Sequence, residues 1–378
     1  MAVPMGMTVA LAACHPPPDP SDTGSNPTAA APVVEQDGVL TITTWSARSD
    51  ADGRLALPIE VGPDTTSFLL SVTTSDEYPV LATLTDPSGA VVLDAADWLG
   101  DDESLTGAFE RARKTSALNW PIRASDGPLT PGTWIAAWTS VDEQGAPTPD
   151  DLAEVTVLAN ADPDPARGTI HVRLVWADGV DAETGRQAAV EDAVDSWVDE
   201  WAAWGLDVVP TFHASSLDPG LPFTASGGAD LEAVAQEVAR PGDLVVVLGD
   251  TLVYDPYVYG TSASTPGSPI PGPYQFVAVA LDQFVPPVGA IDVDHARLLT
   301  ETIAHESAHF MGLSHVVETD WARFDALTDT PRCTSESTCE ATLGTNLMFP
   351  TSYCTPRCPT RGLTPDQQAV LHRYAGTR

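Results

Sequence analysis

Hydrophobic positions fall into two regimes along this chain. Between residues 33 and 160 they come as short runs at 39–43, 67–72, 80–84, 133–138 and 155–158, rich in Val, Leu, Ile, Thr and Trp. Turn formers separate them, among them Asp52-Gly53, Gly62-Pro63, Pro87-Ser88-Gly89 and Pro131-Gly132. Repeated β-rich runs broken by Gly and Pro predict an all-β sandwich over 33–160. The sandwich holds no cluster of catalytic type. Binding, spacing or chaperoning is therefore its expected role, with a latency pro-domain as the alternative. A Pro/Asp-rich stretch at 161–167 reads as a linker.

From residue 168 to 378 the apolar runs alternate with segments of helical period. Residues 170–176, 208–212 and 244–248 read as strands. A helix is predicted over 187–204, with Val190, Val194, Trp197, Val198 and Trp201 on its buried side and Gly205 as its stop. A shorter one covers 230–238. This β-α-β-α-β order predicts a twisted sheet backed by helices, so the second half is expected to be α+β. Residues 254–273, rich in Gly, Pro, Ser and Thr, read as a long loop, and 274–281 as a further strand. A terminal helix follows over 363–371, with Thr364 as its N-cap and Pro365 as its first residue.

Chemistry concentrates in the helix predicted over 296–311, which has Asp292 or Asp294 as N-cap. His305 and His309 are one turn apart and share a face, which Leu298 and Thr302 continue upstream. Leu299, Ile303 and Phe310 form the neighbouring apolar stripe. Gly312 can end the helix in a left-handed conformation, and the turn lets His315 fold back as a third ligand. Three imidazole nitrogens leave one position of a tetrahedral zinc site open, as catalysis needs. Glu306 is rotated by about 100° from the first ligand, beside the metal rather than on it. A carboxylate there can take a proton from water. His171, His213 and His295 lack ligand spacing and are read as structural or surface residues.

Written out, residues 305–315 are H-E-x-x-H-x-x-G-x-x-H, which resembles the zinc-binding signature of the metzincin metallopeptidases. The resemblance covers roughly residues 168–375. It implies one catalytic Zn2+ on His305, His309 and His315, with Glu306 as general base and acid. It also implies a Met-turn beneath the metal, at Met348 in Asn346-Leu347-Met348-Phe349-Pro350. The strand at 274–281 takes the place of the cleft's edge strand, on which substrate would pair antiparallel; an interior strand is the alternative. Tyr353 is a candidate for stabilising the transition state, and Ca2+ accompanies zinc in some of these enzymes. Asp329-Thr330-Pro331, Cys339, Asn346-Leu347-Met348, Cys354 and Leu363-Thr364 with Gln367 resemble the pappalysin branch, from which Phe349-Pro350 departs. Residues 86–92 and 129–134 resemble jelly-roll modules that accompany secreted bacterial peptidases. The expected function is a zinc endopeptidase acting on proteins or peptides. The alternative is a non-catalytic zinc-containing surface lipoprotein that binds or adheres.

Composition narrows the partners. The 378 residues, enough for two domains, carry Lys+Arg 17 against Asp+Glu 53, a net charge of −36. Such a surface repels nucleic acid and anionic membranes. Residues 1–14 are short and apolar and end in Leu11-Ala12-Ala13-Cys14, which resembles a bacterial lipobox with Cys14 as the lipidated residue. Residues 15–32 are too poor in apolar side chains to bury a core and read as a disordered, Pro-rich tether. The expected address is the cell surface or outer membrane through a lipid anchor, with simple secretion as the alternative. Cys333, Cys339, Cys354 and Cys358 cluster around Met348. In an exported protein they predict two disulfides with three pairings open, and a four-cysteine zinc site is the alternative.

Overall fold

The structure is a computed structural model that describes residues 32–94, 103–110, 113–162, 164, 166–182, 185–217, 229–250, 259–272, 275–284, 291–351 and 360–378. The leader with Cys14 lies outside the described residues. The chain is mostly β, built in several sheets, with few helices. No described helix is long and apolar enough to cross a membrane.

The N-terminal half contains strands β1 (Val33–Asp37), β2 (Leu40–Arg48), β3 (Arg54–Val61), β4 (Ser67–Thr74), β5 (Tyr78–Thr85) and β6 (Val91–Asp94). After β7 (Glu103–Ser104) come β8 (Thr115–Trp120), β9 (Gly132–Val141) and β10 (Leu152–Asn160). One antiparallel sheet has the order β1-β2-β10-β4-β8 and the other β3-β9-β5-β6. The two face each other across a common core, where the Phe68 ring meets Trp134 edge-on at 5.9 Å. The five runs seen in the sequence fall in β2, β4, β5, β9 and β10, apart from Val39, which lies in the turn before β2. Strands β1, β3, β6, β7 and β8 lie outside those runs, although Leu55, Leu57, Ile59 and Val61 alternate inward along β3. Pro58 lies within β3, an edge strand where the missing N–H is tolerated.

The C-terminal half contributes β11 (Gly168–Trp176), β12 (Leu206–Ala214), β13 (Leu244–Gly249), β14 (Gly260–Ser262) and β15 (Val277–Ala280). Their sheet order is β12-β11-β13-β15-β14, with the first four parallel and β14 antiparallel to β15. The central strands are buried on both faces, and alternate residues go to different cores. Val246, Leu248, Val277 and Val279 join the main core, beside the helices Arg186–Ala202 and Val293–Phe310. Val245, Val247, Ala278 and Ala280 pack with Leu231 and Val234 of the helix Ala229–Gln236. Double coverage is why these strands read as unbroken apolar runs.

The sheet order corrects one expectation. Within 274–281 the described strand, β15, is interior, and the edge on its side of the sheet is β14, inside the stretch read as a loop. The residues of β15 are too apolar to leave a face in water, whereas the short, polar Gly260-Thr261-Ser262 suits an exposed edge. The two halves share one continuous core. Leu105 and Phe109 from the first half cluster with Phe310, Val317 and Phe324 from the second. Strand β7 pairs in parallel with β16 (Phe324–Asp325) across the boundary.

Candidate metal centre

The helix Val293–Phe310 begins at Asp292, whose carboxylate accepts from the amides of Asp294 at 3.0 Å and His295 at 2.9 Å. Leu298, Leu299, Ile303 and Phe310 bury its apolar stripe in the main core. At the other end Gly312 adopts φ +109°, a conformation open to glycine and strained for other residues. The Leu313 amide then donates to Ala308 O at 3.0 Å, and the chain turns back to bring His315 over the helix.

His305, His309 and His315 converge with ligand atoms all within 4.8 Å of one another, and they form a group that could hold a metal ion. No other such group of His, Cys, Asp and Glu assembles among the described residues. Each ring is fixed through its far nitrogen. His305 Nδ1 donates to Leu347 O at 2.6 Å and His309 Nδ1 to Leu313 O at 2.6 Å, while His315 Nδ1 faces Glu318 Oε2 at 3.2 Å. A carbonyl oxygen can only accept, so the proton sits on Nδ1 and the lone pair on Nε2. Yet His309 Nε2 and His315 Nε2 lie 3.1 Å apart. Two lone pairs that close repel unless a cation lies between them. Nitrogens sharing a tetrahedral zinc at about 2.0–2.1 Å would be separated by about 3.3 Å. The residues fit the metal. Burial, reinforced by the neighbouring His315, also lowers the His305 pKa to about 3, and burial holds His309 well below the ordinary imidazole value. Both rings are therefore neutral, as ligands must be, at neutral pH.

Met348 is fully buried, one residue after Leu347, whose carbonyl takes the His305 hydrogen bond. Its amide donates to Asn346 Oδ1 at 2.8 Å, and Asn346 Nδ2 donates to Gln367 Oε1 at 2.8 Å. Met348 O accepts from the Val316 amide at 3.1 Å, one residue beyond the third histidine. The sequence singled out Met348 but not Leu347, whose carbonyl orients His305, nor Glu318, which orients His315. A carboxylate three residues after a ligand was the available signal for Glu318. Cys333 and Cys339 form a disulfide that ties the segment before the helix Glu336–Leu343 to the helix itself, which removes the four-cysteine zinc alternative. Tyr353, Cys354 and Cys358 lie outside the described residues. His213 sits among Arg173 and Thr211, and His295 caps its helix with Asp292, so neither belongs to the site.

Glu306 points into the cavity over the histidines, with its carboxylate taking a hydrogen bond from the Ser262 backbone. Burial pushes its pKa up to about 8. Strand β14 comes this near because residue 260 is glycine. A Cβ there would lie 2.8 Å from Glu306 Cγ and 2.8 Å from Thr302 Cγ2. In the sequence Gly260 sits in a stretch rich in Gly, Pro, Ser and Thr, where no side-chain pattern marks a strand. The cavity holds about 440 Å3 and opens between β14 and the third histidine.

No protein-family model matches the chain, and no curated protein matches it. Among solved structures, metalloproteinase-II from Bacteroides fragilis aligns at 9% identity over 93% of this chain and 92% of that one, with a TM-score of 0.34. A family two carbohydrate esterase from Clostridium thermocellum aligns at 9% identity over 60% and 66%, with a TM-score of 0.14. Its counterpart from Cellvibrio japonicus gives 8% identity over 58% and 67%, with a TM-score of 0.16. Likenesses this low do not decide between a peptidase and an esterase. The geometry of the histidines has to speak for itself.

Proposed function

We propose that the chain is an exported zinc-dependent endopeptidase of metzincin type. The observation that supports this reading most directly is the convergence of three Nε2 lone pairs, each fixed by an acceptor on Nδ1, with Glu306 beside them. A zinc ion on three nitrogens supplies a Lewis acid for a peptide carbonyl and acidifies water towards neutrality. The chain's own residues do the rest. Leu347 O, Leu313 O and the Glu318 carboxylate hold the rings in the ligating tautomer. Glu306 takes the proton released as water adds to the carbonyl carbon, then gives it to the leaving nitrogen as the C–N bond breaks. A carboxyl group that burial raises to about 8 is suited to that return, and a divalent cation nearby would draw it back towards the ionised state. The outer edge of β14 borders the cavity, where an extended substrate could add as a strand.

The test is hydrolysis of a peptide library by protein loaded with zinc, repeated after a chelator and again after zinc is restored. Cleavage that is lost and regained is the expected result, and hydrolysis indifferent to the chelator would remove the reading. Gly260→Ala gives a finer check. The added methyl must push β14 or Glu306 aside, and displacement of a catalytic group by about 1 Å can cost about 100-fold in rate. A kcat/KM lower by about that factor, with full zinc content, is expected.

A further inference from the structure

Four charged side chains link the histidine helix, Val293–Phe310, to its neighbours. Glu301 lies on that helix one turn before His305 and on the same face. It is 3% exposed, and its carboxylate meets two arginines. Arg297 Nε stands 2.9 Å from Oε1, and Arg361 Nε stands 3.7 Å from Oε2. Arg297 reaches on to Glu200 of the helix Arg186–Ala202. Arg361 is buried in turn, and its Nη2 donates to Thr351 O at 2.8 Å.

Arg361 is also tied to the first histidine through the backbone. The next residue, Gly362, accepts the Leu347 amide at 2.8 Å and donates to Thr345 O at 3.0 Å, bridging in parallel to Asn346. Leu347 O is the acceptor that fixes His305 Nδ1 at 2.6 Å. The hydrogen bond that orients His305 therefore joins two parts of the chain, the helix and the strip 345–347. Asn346 and Gln367 hold that strip to the last helix, Pro365–Arg373. Arg361 holds it to the histidine helix, with its backbone neighbour on Leu347 and its guanidinium beside Glu301. A guanidinium suits this task because its donors spread in a fixed plane, so one group can face a carboxylate and a carbonyl together.

Stability alone is a poor account of this pair. Desolvating two charges offsets their attraction unless the geometry is close and the donors are satisfied, and apolar side chains of similar volume often do as well. Here the contact is 3.7 Å long, and Arg361 Nε and Arg297 Nη2 have no hydrogen-bond partner among the described residues. What the ions supply, and apolar side chains do not, is direction. The charge of Arg361 also reaches His305, where it disfavours the protonated ring. On charge alone Arg361 would repel a metal cation, and its removal would tighten binding. On position its removal would loosen binding. The two accounts differ in sign.

We propose that Arg361, acting through Glu301, is a positioning residue that sets the distance between the histidine helix and the Leu347 carbonyl, and so holds His305 in its ligating tautomer. The inference rests on the metal centre of the peptidase reading, not on peptide cleavage. Its first readout is the zinc affinity of the full-length protein, measured by competition with a chromophoric chelator. Arg361→Met should weaken it by about 10- to 100-fold, the range for groups that orient a ligand. That variant leaves Glu301 buried without this partner, so a second one removes both charges, Arg361→Met with Glu301→Met. Metal-free, the double variant should melt within a few degrees of wild type, yet bind zinc about 10- to 100-fold more weakly. The second readout is imidazole nitrogen NMR of metal-free protein. Wild type should show the His305 proton on Nδ1, and the double variant a mixture of tautomers. Wild-type affinity or a single Nδ1–H tautomer in the double variant would overturn the inference, as would tighter zinc binding by Arg361→Met. A double variant that loses its fold would make the pair structural and overturn it too. If wild-type protein binds no zinc, the metal centre and this inference fall together. Affinities graded as expected, in a protein that cleaves no peptide, would support the role of Arg361 while removing the peptidase reading.

Discussion

Glu306→Ala is expected to keep its zinc and its fold while kcat falls by about 100- to 10,000-fold, the range for loss of a general acid–base group. Glu306 is not one of the three converging ligands, so its removal should leave metal content unchanged. Elemental analysis and circular dichroism would establish that, and turnover near the wild-type rate would eliminate the assigned role. Metal-stripped protein gives a second reading that does not depend on activity. Burial raises the Glu306 pKa from 4.5 to about 8. Between those values the folded protein keeps a proton that the unfolded chain has released. The corresponding stability is full below the unfolded value and is lost as pH rises through the folded one. Glutamine cannot titrate. Metal-free Glu306→Gln should therefore gain in Tm, relative to metal-free wild type, as pH climbs from about 5 to about 8. A difference that stays flat across that range would contradict the burial.

What the sequence disclosed follows from how local each feature is. The histidine helix was legible because His305, His309, Gly312 and His315 act through fixed offsets along one helix and the turn after it. Thr364 and Pro365 announced the last helix for the same reason, and the structure places the cap where the pattern did, with Thr364 accepting from Gln367. Edge and interior strands were exchanged because their difference is tertiary. The sequence of β15 shows that it is apolar, and only the sheet order shows that Gly260–Ser262 lies outside it. Leu347 escaped notice because its contribution is a backbone carbonyl, which no side-chain pattern records. The pair of Glu301 and Arg361 was equally invisible. The two are far apart in the chain, and nothing near either one points to the other.

Metal removal should produce the largest change in stability. A ligand bound only by the folded state at a thousand times its Kd contributes about 4 kcal/mol, or about 5 °C in Tm for a protein of this size. Zinc-loaded protein should melt that much above protein treated with a chelator. The ligand set should grade the effect. His315→Ala removes a nitrogen and leaves the His309 lone pair without its partner at 3.1 Å, so zinc affinity should fall furthest there. Glu318→Ala keeps the nitrogen but frees the ring at Nδ1, and loss of such an orienting group costs about 10- to 100-fold in affinity. His295→Ala lies outside the ligand group and should bind zinc as the wild type does. Acid supplies the remaining axis. The His305 pKa of about 3 is depressed, so the neutral ring's contribution to stability is full above the ordinary value of 6.5 and is lost as pH falls towards 3. Protons cannot then compete with metal at neutral pH, and zinc should leave only in acid, together with the fold. Coincident melting curves with and without chelator, in protein that elemental analysis finds free of metal after zinc loading, would show that the three histidines meet for some other reason.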